Sequence, residues 1–365
     1  MRPRPVGSAI LTRQSDRSRT AVRDLAGEPP EAGAHREQHG RHQRGARPAW
    51  PAGRLVAPHH VDFLDYATRA RTECSSSNLA GPRYGREMRT LITGGTGYLG
   101  AELARQALGA GHQVTTTYST RPGKAPGVDW RFLDVRRRAD VITCLRDISP
   151  DLVIHTAYRQ SDWVTTADGA AHVATAAGAS RARLVHVSSD AVFSGEAIHY
   201  DENAVPDPMT TYGAAKAAAE VAVAVVDPTA VIARTSLIVG DGNSQHESMV
   251  RNLAAGRRDG FLFTDDVRCP VHVGDLASAL LELAASTRAG IHHVAGADAV
   301  SRYGLGILIA HRDGLDPAAL RAASRREIGI PGPVDVRLDS TRTQQALRTQ
   351  LRGAKQFLLR SDATA

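Results

Sequence analysis

A tyrosine and a lysine four residues apart are the pair in this sequence best suited to proton transfer. Tyr212 and Lys216 form a Tyr-x-x-x-Lys pattern, and on a helix this spacing places both side chains on one face. An ammonium group beside a phenol stabilises the phenolate and lowers the tyrosine pKa from its usual value of about 10. The pattern therefore predicts a tyrosine that exchanges a proton near neutral pH.

Composition supports a chemical role for this lysine. The 45 basic residues of the chain include only three lysines, Lys124, Lys216 and Lys355. A planar guanidinium cannot easily replace a compact ammonium that must reach both a ribose hydroxyl and a phenol. A lysine at position 216 of an arginine-rich chain therefore indicates a catalytic group rather than a surface charge.

A serine at the end of a predicted strand is the third candidate. Ser189 follows the apolar run 184–187 and precedes Tyr212 by 23 residues. The carboxyl ends of parallel strands face the ligand crevice of an α/β sheet, where a hydroxyl can hydrogen-bond a substrate carbonyl. We predict that Ser189, Tyr212 and Lys216 form one catalytic group.

Glycines before the first predicted helix form a phosphate-binding pattern. Residues 93–100 read Thr-Gly-Gly-Thr-Gly-Tyr-Leu-Gly, between a short apolar strand and a helical pattern over 98–110. Gly94 suits the tight turn, Gly97 the approach of a pyrophosphate, and Gly100 the packing of the helix on the sheet. Because N–H groups at a helix N-terminus bind phosphate, this context predicts a dinucleotide cofactor.

The segment after the second predicted strand bears on the choice of cofactor. An acidic residue there would hold the ribose 2′-hydroxyl of NAD, but residues 116–121 read Thr-Thr-Tyr-Ser-Thr-Arg. Hydroxyl groups and Arg121 suit a 2′-phosphate, which favours NADP and leaves NAD open. The predicted cofactor-binding residues are Gly94, Thr96, Gly97, Tyr98, Leu99, Gly100, Ser119, Arg121, Asp134, Val135, Ala157, Tyr212 and Lys216.

Strands and helices alternate in the part of the chain that carries these motifs. The predicted strands lie at 91–93, 114–118, 130–133, 152–154, 184–187 and 231–233, and helical or alanine-rich segments separate most of them. Such alternation implies parallel βαβ units. We therefore predict an α/β fold, a Rossmann-like doubly wound parallel sheet with a smaller C-terminal substrate-binding part.

The chain divides into four predicted parts: an Arg/Pro-rich leader (1–87), a nucleotide-binding domain (88–240), a mainly substrate-binding region (241–345) and a tail (346–365). The leader contains 15 arginines, nine acidic residues and eight of the 18 prolines, without a helical or strand period. It is predicted to be a disordered tail, a targeting peptide or the product of a start codon assigned too far upstream. Its acidic residues argue against targeting, and Met88, which opens directly onto a strand, favours the upstream start.

Charge and cysteine content exclude several classes of function. The net charge is +7, of which the leader accounts for +6, and a nearly neutral remainder argues against nucleic-acid binding. Cys74, Cys144 and Cys269 have no metal or disulfide spacing, and no apolar run approaches the roughly 20 residues that span a bilayer. We predict a cytoplasmic protein without a metal site, a nucleic-acid partner or a membrane partner.

The motifs together resemble the extended short-chain dehydrogenase/reductase superfamily and, within it, the dTDP-4-dehydrorhamnose reductase family. The resemblance covers about residues 88 to 345. It rests on the glycine loop, on Ser-Ser-Asp-Ala-Val-Phe-Ser-Gly at 188–195, and on Tyr212 to Lys216 followed by Glu220. The chain departs from the family at Ala191, where a tyrosine is expected, and at Thr166, where an asparagine that assists the proton relay is expected.

The resemblance implies NAD(P)H-dependent reduction of the 4-keto group of a nucleotide-activated deoxysugar, the chemistry of dTDP-rhamnose biosynthesis. Tyr212 would supply the proton, Ser189 would orient the carbonyl and Lys216 would hold the ribose. Family position puts Asp265, Asp266 and Arg268 near the sugar cleft, although a solvated turn is the alternative. A homodimer is a further expectation.

Two other functions remain open at this point. An NAD-dependent sugar-nucleotide epimerase or dehydratase would keep the fold, but such dehydratases carry an Asp-Glu pair where this chain has Asp190-Ala191. A non-catalytic, cofactor-binding regulatory subunit resembling the methionine adenosyltransferase β-subunit is the second alternative. The absence of the family asparagine near Thr166 favours it.

The composition of the leader predicts that it is dispensable. A chain that starts at Met88 should fold, bind cofactor and keep a melting temperature within a few degrees of the full chain, because the leader lacks a pattern that could build a core. Thermal unfolding of the two chains checks this. An insoluble short chain, or one that no longer binds cofactor, would show that the leader contributes to the fold.

Overall fold

The computed structural model describes residues 87–359. Residues 1–86 of the predicted leader, the last six residues of the predicted tail and Cys74 lie outside the described residues. Within the described range, no helix is both long enough and apolar enough to cross a bilayer.

Strands and helices alternate along most of the described chain. The strands are β1 (Arg89–Thr93), β2 (Gln113–Tyr118), β3 (Val128–Phe132), β4 (Leu152–His155), β5 (Arg183–Ser189), β6 (His199–Tyr200), β7 (Val231–Thr235), β8 (Ile238–Val239), β9 (Leu262–Phe263), β10 (Val267–Arg268), β11 (Val271–His272), β12 (Gly290–His293), β13 (Val300–Ser301), β14 (Ala322–Ala323) and β15 (Arg337–Leu338). The α-helices are α1 (Tyr98–Gly109), α2 (Arg138–Ile148), α3 (Gly169–Ala179), α4 (Thr211–Val226), α5 (Gln245–Ala254), α6 (Val273–Ala285), α7 (Arg302–Asp313), α8 (Thr341–Ala346) and α9 (Ala354–Leu358).

Seven strands form one parallel sheet in the order β12-β7-β5-β4-β1-β2-β3. All six predicted strands are present, and the predicted Rossmann-like doubly wound α/β fold is confirmed. The strand order reverses between β1 and β4, which is the position where such sheets bind ligands. β12 joins the sheet beyond β7, so the region predicted to bind substrate also contributes a strand to the nucleotide-binding sheet.

Two apolar layers hold helices on the two faces of this sheet. Ile92 and Ile154 face α1 and α6, whereas Leu91 and Val153 face α2, α3 and α4, because successive side chains of a strand point to opposite faces. A fully buried side chain of this kind stabilises the fold by roughly 1.5–3 kcal/mol. Both faces of the strands are covered, which explains why consecutive residues are buried in β1 from Thr90 onwards and throughout β4.

The C-terminal part is a smaller unit of short strands and helices on its own apolar cluster. Val239, Val250, Ile309 and Leu358 bring β8, α5, α7 and α9 together. Pairing of β6 with β15 ties the segment after β5 to residues near the end of the described chain. The carboxyl edge of the large sheet therefore lies next to chain segments that are distant in sequence.

Helix α4 is fixed to the sheet by a buried ion pair. Glu220 accepts hydrogen bonds from the Arg234 guanidinium of β7 at 2.8–3.2 Å and from Ser188 Oγ of β5 at 2.5 Å. Arg234 is fully buried, and its guanidinium lies 5.0 Å from the centre of the Phe193 ring. Lys216, one turn earlier on α4, is buried as well, so both charged residues of this helix face the sheet.

Loss of the Glu220 charge should destabilise the fold strongly. Glu220→Gln leaves the buried guanidinium of Arg234 without a counter-charge, and breaking one side of a buried pair typically costs about 3–5 kcal/mol. Urea unfolding followed by circular dichroism measures the loss. Asp129→Asn, which removes one partner of the exposed Arg131–Asp129 pair, is the matched control. It should cause no measurable change in the free energy of unfolding. Equal, small losses for the two variants would contradict this account of α4.

Candidate active site

The loop between β1 and α1 is shaped by glycines at three positions. Gly94 has a left-handed backbone with φ of +73°, and a Cβ there would come within 3.0 Å of the Ala157 backbone. A Cβ on Gly100 would come within 2.3 Å of the Gly94 carbonyl oxygen. Gly97 caps the N-terminus of α1. The loop therefore lies close against β4 and leaves the start of α1 open to a phosphate group.

A cleft of about 470 Å³ opens beside this loop. Seven predicted cofactor residues line it: Gly94, Thr96, Gly97, Ser119, Asp134, Val135 and Ala157. Leu99 is buried in the core behind the loop, and the Tyr98 side chain turns towards Gly240, where a Cβ would meet its hydroxyl at 2.1 Å. Tyr98, Leu99 and Gly100, which were predicted to bind cofactor, therefore pack behind the cleft and are not among the residues that line it.

The part of the cleft next to β3 contains an arginine that was not among the residues predicted from sequence. Arg136 lines the cleft and pairs with Asp134 at 2.7 Å, and this hydrogen bond lowers the pKa of the Asp134 carboxyl. Arg121 is exposed on the loop after β2 and is not part of the cleft wall. Arg136 could have been predicted from its place in the sequence, because it follows the end of β3 by only four residues and comes directly after Asp134 and Val135.

A second cavity, of about 550 Å³, lies against β3 and α2 and includes Arg89 and Gln113 at the amino ends of β1 and β2. It contains none of the predicted site residues. Its one thiol, Cys144, has a pKa raised to about 11 by burial, so it stays protonated at neutral pH. This cavity therefore offers no nucleophile of this type, and the candidate site is the cleft at the opposite, carboxyl edge.

Ser189 and Tyr212 are brought together by the packing of α4 on the turn after β5. Ser189 is the last residue of β5, and its Oγ accepts a hydrogen bond from the Ala191 N–H at 3.2 Å. Thr210 caps α4 through the Gly213 N–H at 3.0 Å. A Cβ on Gly213 would come within 2.1 Å of the Ala191 carbonyl oxygen, so only glycine lets α4 begin this close to Ser189.

Lys216 lies one turn further along α4, where it is 3 % exposed. Its Nζ donates a hydrogen bond to the Val187 carbonyl of β5 at 2.9 Å and lies 5.1 Å from the centre of the Tyr158 ring. Burial lowers the pKa of Lys216 to about 8, while the charge of Glu220 acts in the opposite direction. The ammonium is therefore still mostly protonated at neutral pH and is held at a fixed place beside the cleft.

The predicted lowering of the Tyr212 pKa is wrong in direction. Burial, followed by the neighbouring Tyr158, raises the pKa of Tyr212 above its usual value, and a hydrogen bond with Ser189 opposes this shift. The rings of Tyr158 and Tyr212 are 5.7 Å apart. The low dielectric constant around the buried ring disfavours the phenolate, and this effect outweighs the stabilisation that was predicted from the spacing to Lys216. Tyr212 therefore keeps its proton at neutral pH.

Thr166 occupies the position at which the resembling family has asparagine, and it is engaged locally. Its Oγ1 accepts a hydrogen bond from the Arg159 N–H at 3.1 Å and donates one to the Arg159 carbonyl at 2.8 Å. The residue is buried within a π-helical turn, Val164–Asp168. Such turns are frequent at functional sites, and here the turn fixes the loop that forms one wall of the cleft.

The C-terminal part contributes a buried charge cluster next to Ser189. Asp190 accepts a hydrogen bond from Ser236 Oγ at 2.6 Å and lies 3.7 Å from Arg268 Nε. Asp266 pairs with the guanidinium groups of three arginines, at 3.0 Å for Arg268, 3.4 Å for Arg302 and 2.8 Å for Arg325. Asp266 and Arg268 are buried, so the alternative of a solvated turn at these residues is wrong.

Known proteins resemble this chain over nearly all of the described residues. The family described as the RmlD substrate binding domain matches residues 88–361. The dTDP-4-dehydrorhamnose reductase of Mycolicibacterium smegmatis is 32 % identical over 294 residues, which cover 76 % of this chain and 85 % of that protein. The methionine adenosyltransferase 2 subunit beta of Xenopus laevis is 28 % identical over 282 residues, covering 70 % and 82 %.

A solved structure agrees with this assignment. The crystal structure of a hypothetical dTDP-4-dehydrorhamnose reductase from Sulfolobus tokodaii is 29 % identical, covers 73 % of this chain and 97 % of its own, and superposes with a TM-score of 0.64. The glycine loop, the doubly wound sheet and the Ser189–Tyr212–Lys216 group occur together in one chain. On these findings the chain belongs to the RmlD substrate binding domain family, that of the dTDP-4-dehydrorhamnose reductases.

Proposed function

We propose that this protein is an NADPH-dependent oxidoreductase that reduces the 4-keto group of a nucleotide-activated deoxysugar. Family membership supports the reaction class. The observation that carries the proposal is the convergence of Ser189, Tyr212 and Lys216 at the carboxyl end of β5 and the start of α4. The Tyr212 hydroxyl, which Ser189 orients, can donate to a carbonyl oxygen at that edge of the parallel sheet.

The cleft fits a dinucleotide with a 2′-phosphate. Side chains at Gly94 and Gly100 would crowd the loop, and the open N-terminus of α1 suits a pyrophosphate. The end of β2 lacks a carboxylate that would repel a 2′-phosphate, and Ser119, Arg121 and Arg136 offer donors to one. NADPH, when bound, supplies the hydride.

The side chains have separate tasks in the reduction. Tyr212 keeps its proton at neutral pH because burial raises its pKa, so it can donate that proton to the substrate oxygen once negative charge develops there. The ammonium of Lys216 stabilises the tyrosinate that remains and holds a ribose hydroxyl. Burial of both groups strengthens these interactions, since the local dielectric constant is low.

A regulatory subunit is the second candidate, and two observations favour it. Thr166 is engaged with the Arg159 backbone where the family has its relay asparagine, and the pKa of Tyr212 is raised rather than lowered. One experiment separates the candidates: the full chain is mixed with NADPH and a panel of dTDP-4-keto-6-deoxysugars, and the loss of NADPH absorbance is followed. Turnover supports the reductase. Tight NADPH binding without turnover supports the regulatory subunit.

Removal of the Tyr212 hydroxyl should separate catalysis from binding. Tyr212→Phe removes one oxygen, so fold and NADPH affinity should persist while kcat falls about 10²- to 10⁴-fold, the usual contribution of general acid catalysis. Lys216→Arg should lower kcat and weaken NADPH as well, because a guanidinium cannot occupy the place of the compact ammonium. Tyr303→Phe, on α7, is the matched control and should keep full activity. Equal turnover of Tyr212→Phe and the parent would assign the proton to another group.

Removal of the Arg121 guanidinium, on the loop after β2, should reduce the preference for NADPH over NADH. A charge-assisted hydrogen bond contributes roughly 1.5–3 kcal/mol, so Arg121→Ala should weaken NADPH about tenfold to a hundredfold and leave NADH nearly unchanged. Arg136→Ala tests the second donor, and Arg138→Ala is the control. Calorimetric titration with both cofactors measures the effect. Equal losses for NADPH and NADH, or tighter NADH binding in the parent, would contradict the assignment of NADP.

A further inference from the structure

The hydroxyl group of Ser189 is already committed within the protein. Its Oγ accepts the Ala191 N–H at 3.2 Å and donates to Asp190 Oδ1, also at 3.2 Å. A hydroxyl has one proton and two acceptor lone pairs. With the proton directed at Asp190 and one lone pair at the Ala191 N–H, the second lone pair remains for the hydroxyl of the protonated Tyr212. A Ser189 bond that lowers the pKa of Tyr212 is instead one that Ser189 donates to the tyrosinate. In this resting arrangement Ser189 therefore presents its oxygen to the tyrosine, and it can present its proton only once the tyrosinate forms.

Asp190, which accepts the hydrogen bond from Ser189 at Oδ1, is held at its other carboxylate oxygen, Oδ2. Asp190 Oδ2 accepts a hydrogen bond from Ser236 Oγ at 2.6 Å and lies 3.7 Å from Arg268 Nε. Asp190 is 6 % exposed. A buried carboxylate is costly unless it is paired and hydrogen-bonded. Ser236 and Arg268 meet this requirement, and Ser236 also accepts the Cys269 N–H at 3.2 Å.

The Arg268 guanidinium is fixed by the C-terminal part of the chain. It donates to the carbonyl oxygens of Val267, Pro333 and Val334 at 2.7, 2.9 and 3.2 Å and pairs with Asp266. A cation with this many partners has little freedom to follow a moving carboxylate. The orientation of Asp190 is therefore set by residues that lie about 45 to 145 positions further along the chain.

We propose, on the basis of the proposed reductase function, that Asp190 is a positioning residue: it holds the hydroxyl proton of Ser189, and Ser236 and Arg268 hold Asp190. Ser189 then acts first as an acceptor that orients the Tyr212 hydroxyl. When Tyr212 gives its proton to the substrate oxygen, the Ser189 hydroxyl turns from Asp190 to the tyrosinate. Only hydrogen bonds change in this rotation, and Asp190 keeps Ser236 and Arg268.

Kinetics of Asp190→Asn test the proposal. The amide keeps the shape of the side chain but removes the charged acceptor, so kcat should fall about tenfold or more while KM for the keto-sugar and the Kd of NADPH change less than about threefold. Asp313→Asn is the control, because it removes a carboxylate that pairs with Arg251 and Arg312. Asp313 lies at the C-terminal end of α7, at the opposite end from Arg302. Unchanged kcat in Asp190→Asn would overturn the proposal.

A second readout does not depend on turnover. Tyr158, Ser189 and Asp190 act on the Tyr212 hydroxyl, and Lys216 Nζ lies 5.1 Å from the centre of the Tyr158 ring. Loss of the Asp190 charge should favour the tyrosinate. With NADP bound, Asp190→Asn should therefore show more tyrosinate absorbance than the parent at alkaline pH, after subtraction of the corresponding Tyr212→Phe spectrum. Equal tyrosinate signals would overturn the proposal. If the parent reduces no keto-sugar, the proposed function is wrong, and this comparison alone decides the role of Asp190.

Ser236→Ala covers the case in which Asp190→Asn fails to fold. It removes the 2.6 Å hydrogen bond to Asp190 but keeps every charge. We expect kcat to fall severalfold with KM and the tyrosinate signal unchanged, because Asp190 is less firmly held but still charged. Parent-like kcat in a folded Ser236→Ala variant would show that the position of Asp190 does not matter, which would overturn the proposal.

Discussion

The buried contact of Glu220 with Ser188 and Arg234 is the interaction on which the site depends. It joins α4 to β5 and β7 at one point of the sheet, and Lys216 and Tyr212 lie one and two turns before it. A slip of one residue along a helix moves a side chain by about 1.5 Å and turns it by about 100°. Neither the Lys216 bond to Val187 nor the approach of Tyr212 to Ser189 would survive such a slip.

Burial acts on both members of the Tyr-x-x-x-Lys pair in the same sense, since a low dielectric favours their neutral forms. It raises the pKa of Tyr212 and lowers that of Lys216 to about 8. The resting phenol is thus protonated, and its raised pKa makes it a weaker acid than a free tyrosine. Carbonyl reduction requires the protonated phenol, which this site supplies, while the raised pKa makes the proton transfer depend on the negative charge that develops on the substrate oxygen.

The elements and motifs that depend on local patterns were predictable from sequence. Residues close together in sequence determine the six predicted strands, the glycine loop and the spacing of Tyr212 and Lys216. β12 was missed because Ile291 is flanked by glycine and two histidines, and the Asp190–Arg268 contact because its partners are 78 residues apart. The sign of the Tyr212 pKa shift depends on burial, which is a property of the packed structure and not of spacing.

The topology of the sheet also has a consequence for the order in which a growing chain acquires its properties. The cleft for the dinucleotide is lined by residues 94 to 165, whereas the carboxylate behind Ser189 needs Arg268, which in turn needs the carbonyls of Pro333 and Val334. During synthesis on the ribosome, domains fold as units from the N-terminal side. Because α6 and β12 cover and extend the sheet behind this cleft, we expect firm nucleotide binding only after β12 has emerged, and a complete proton-transfer group only after Val334. Between these two points the cofactor can stabilise the nearly complete chain by mass action.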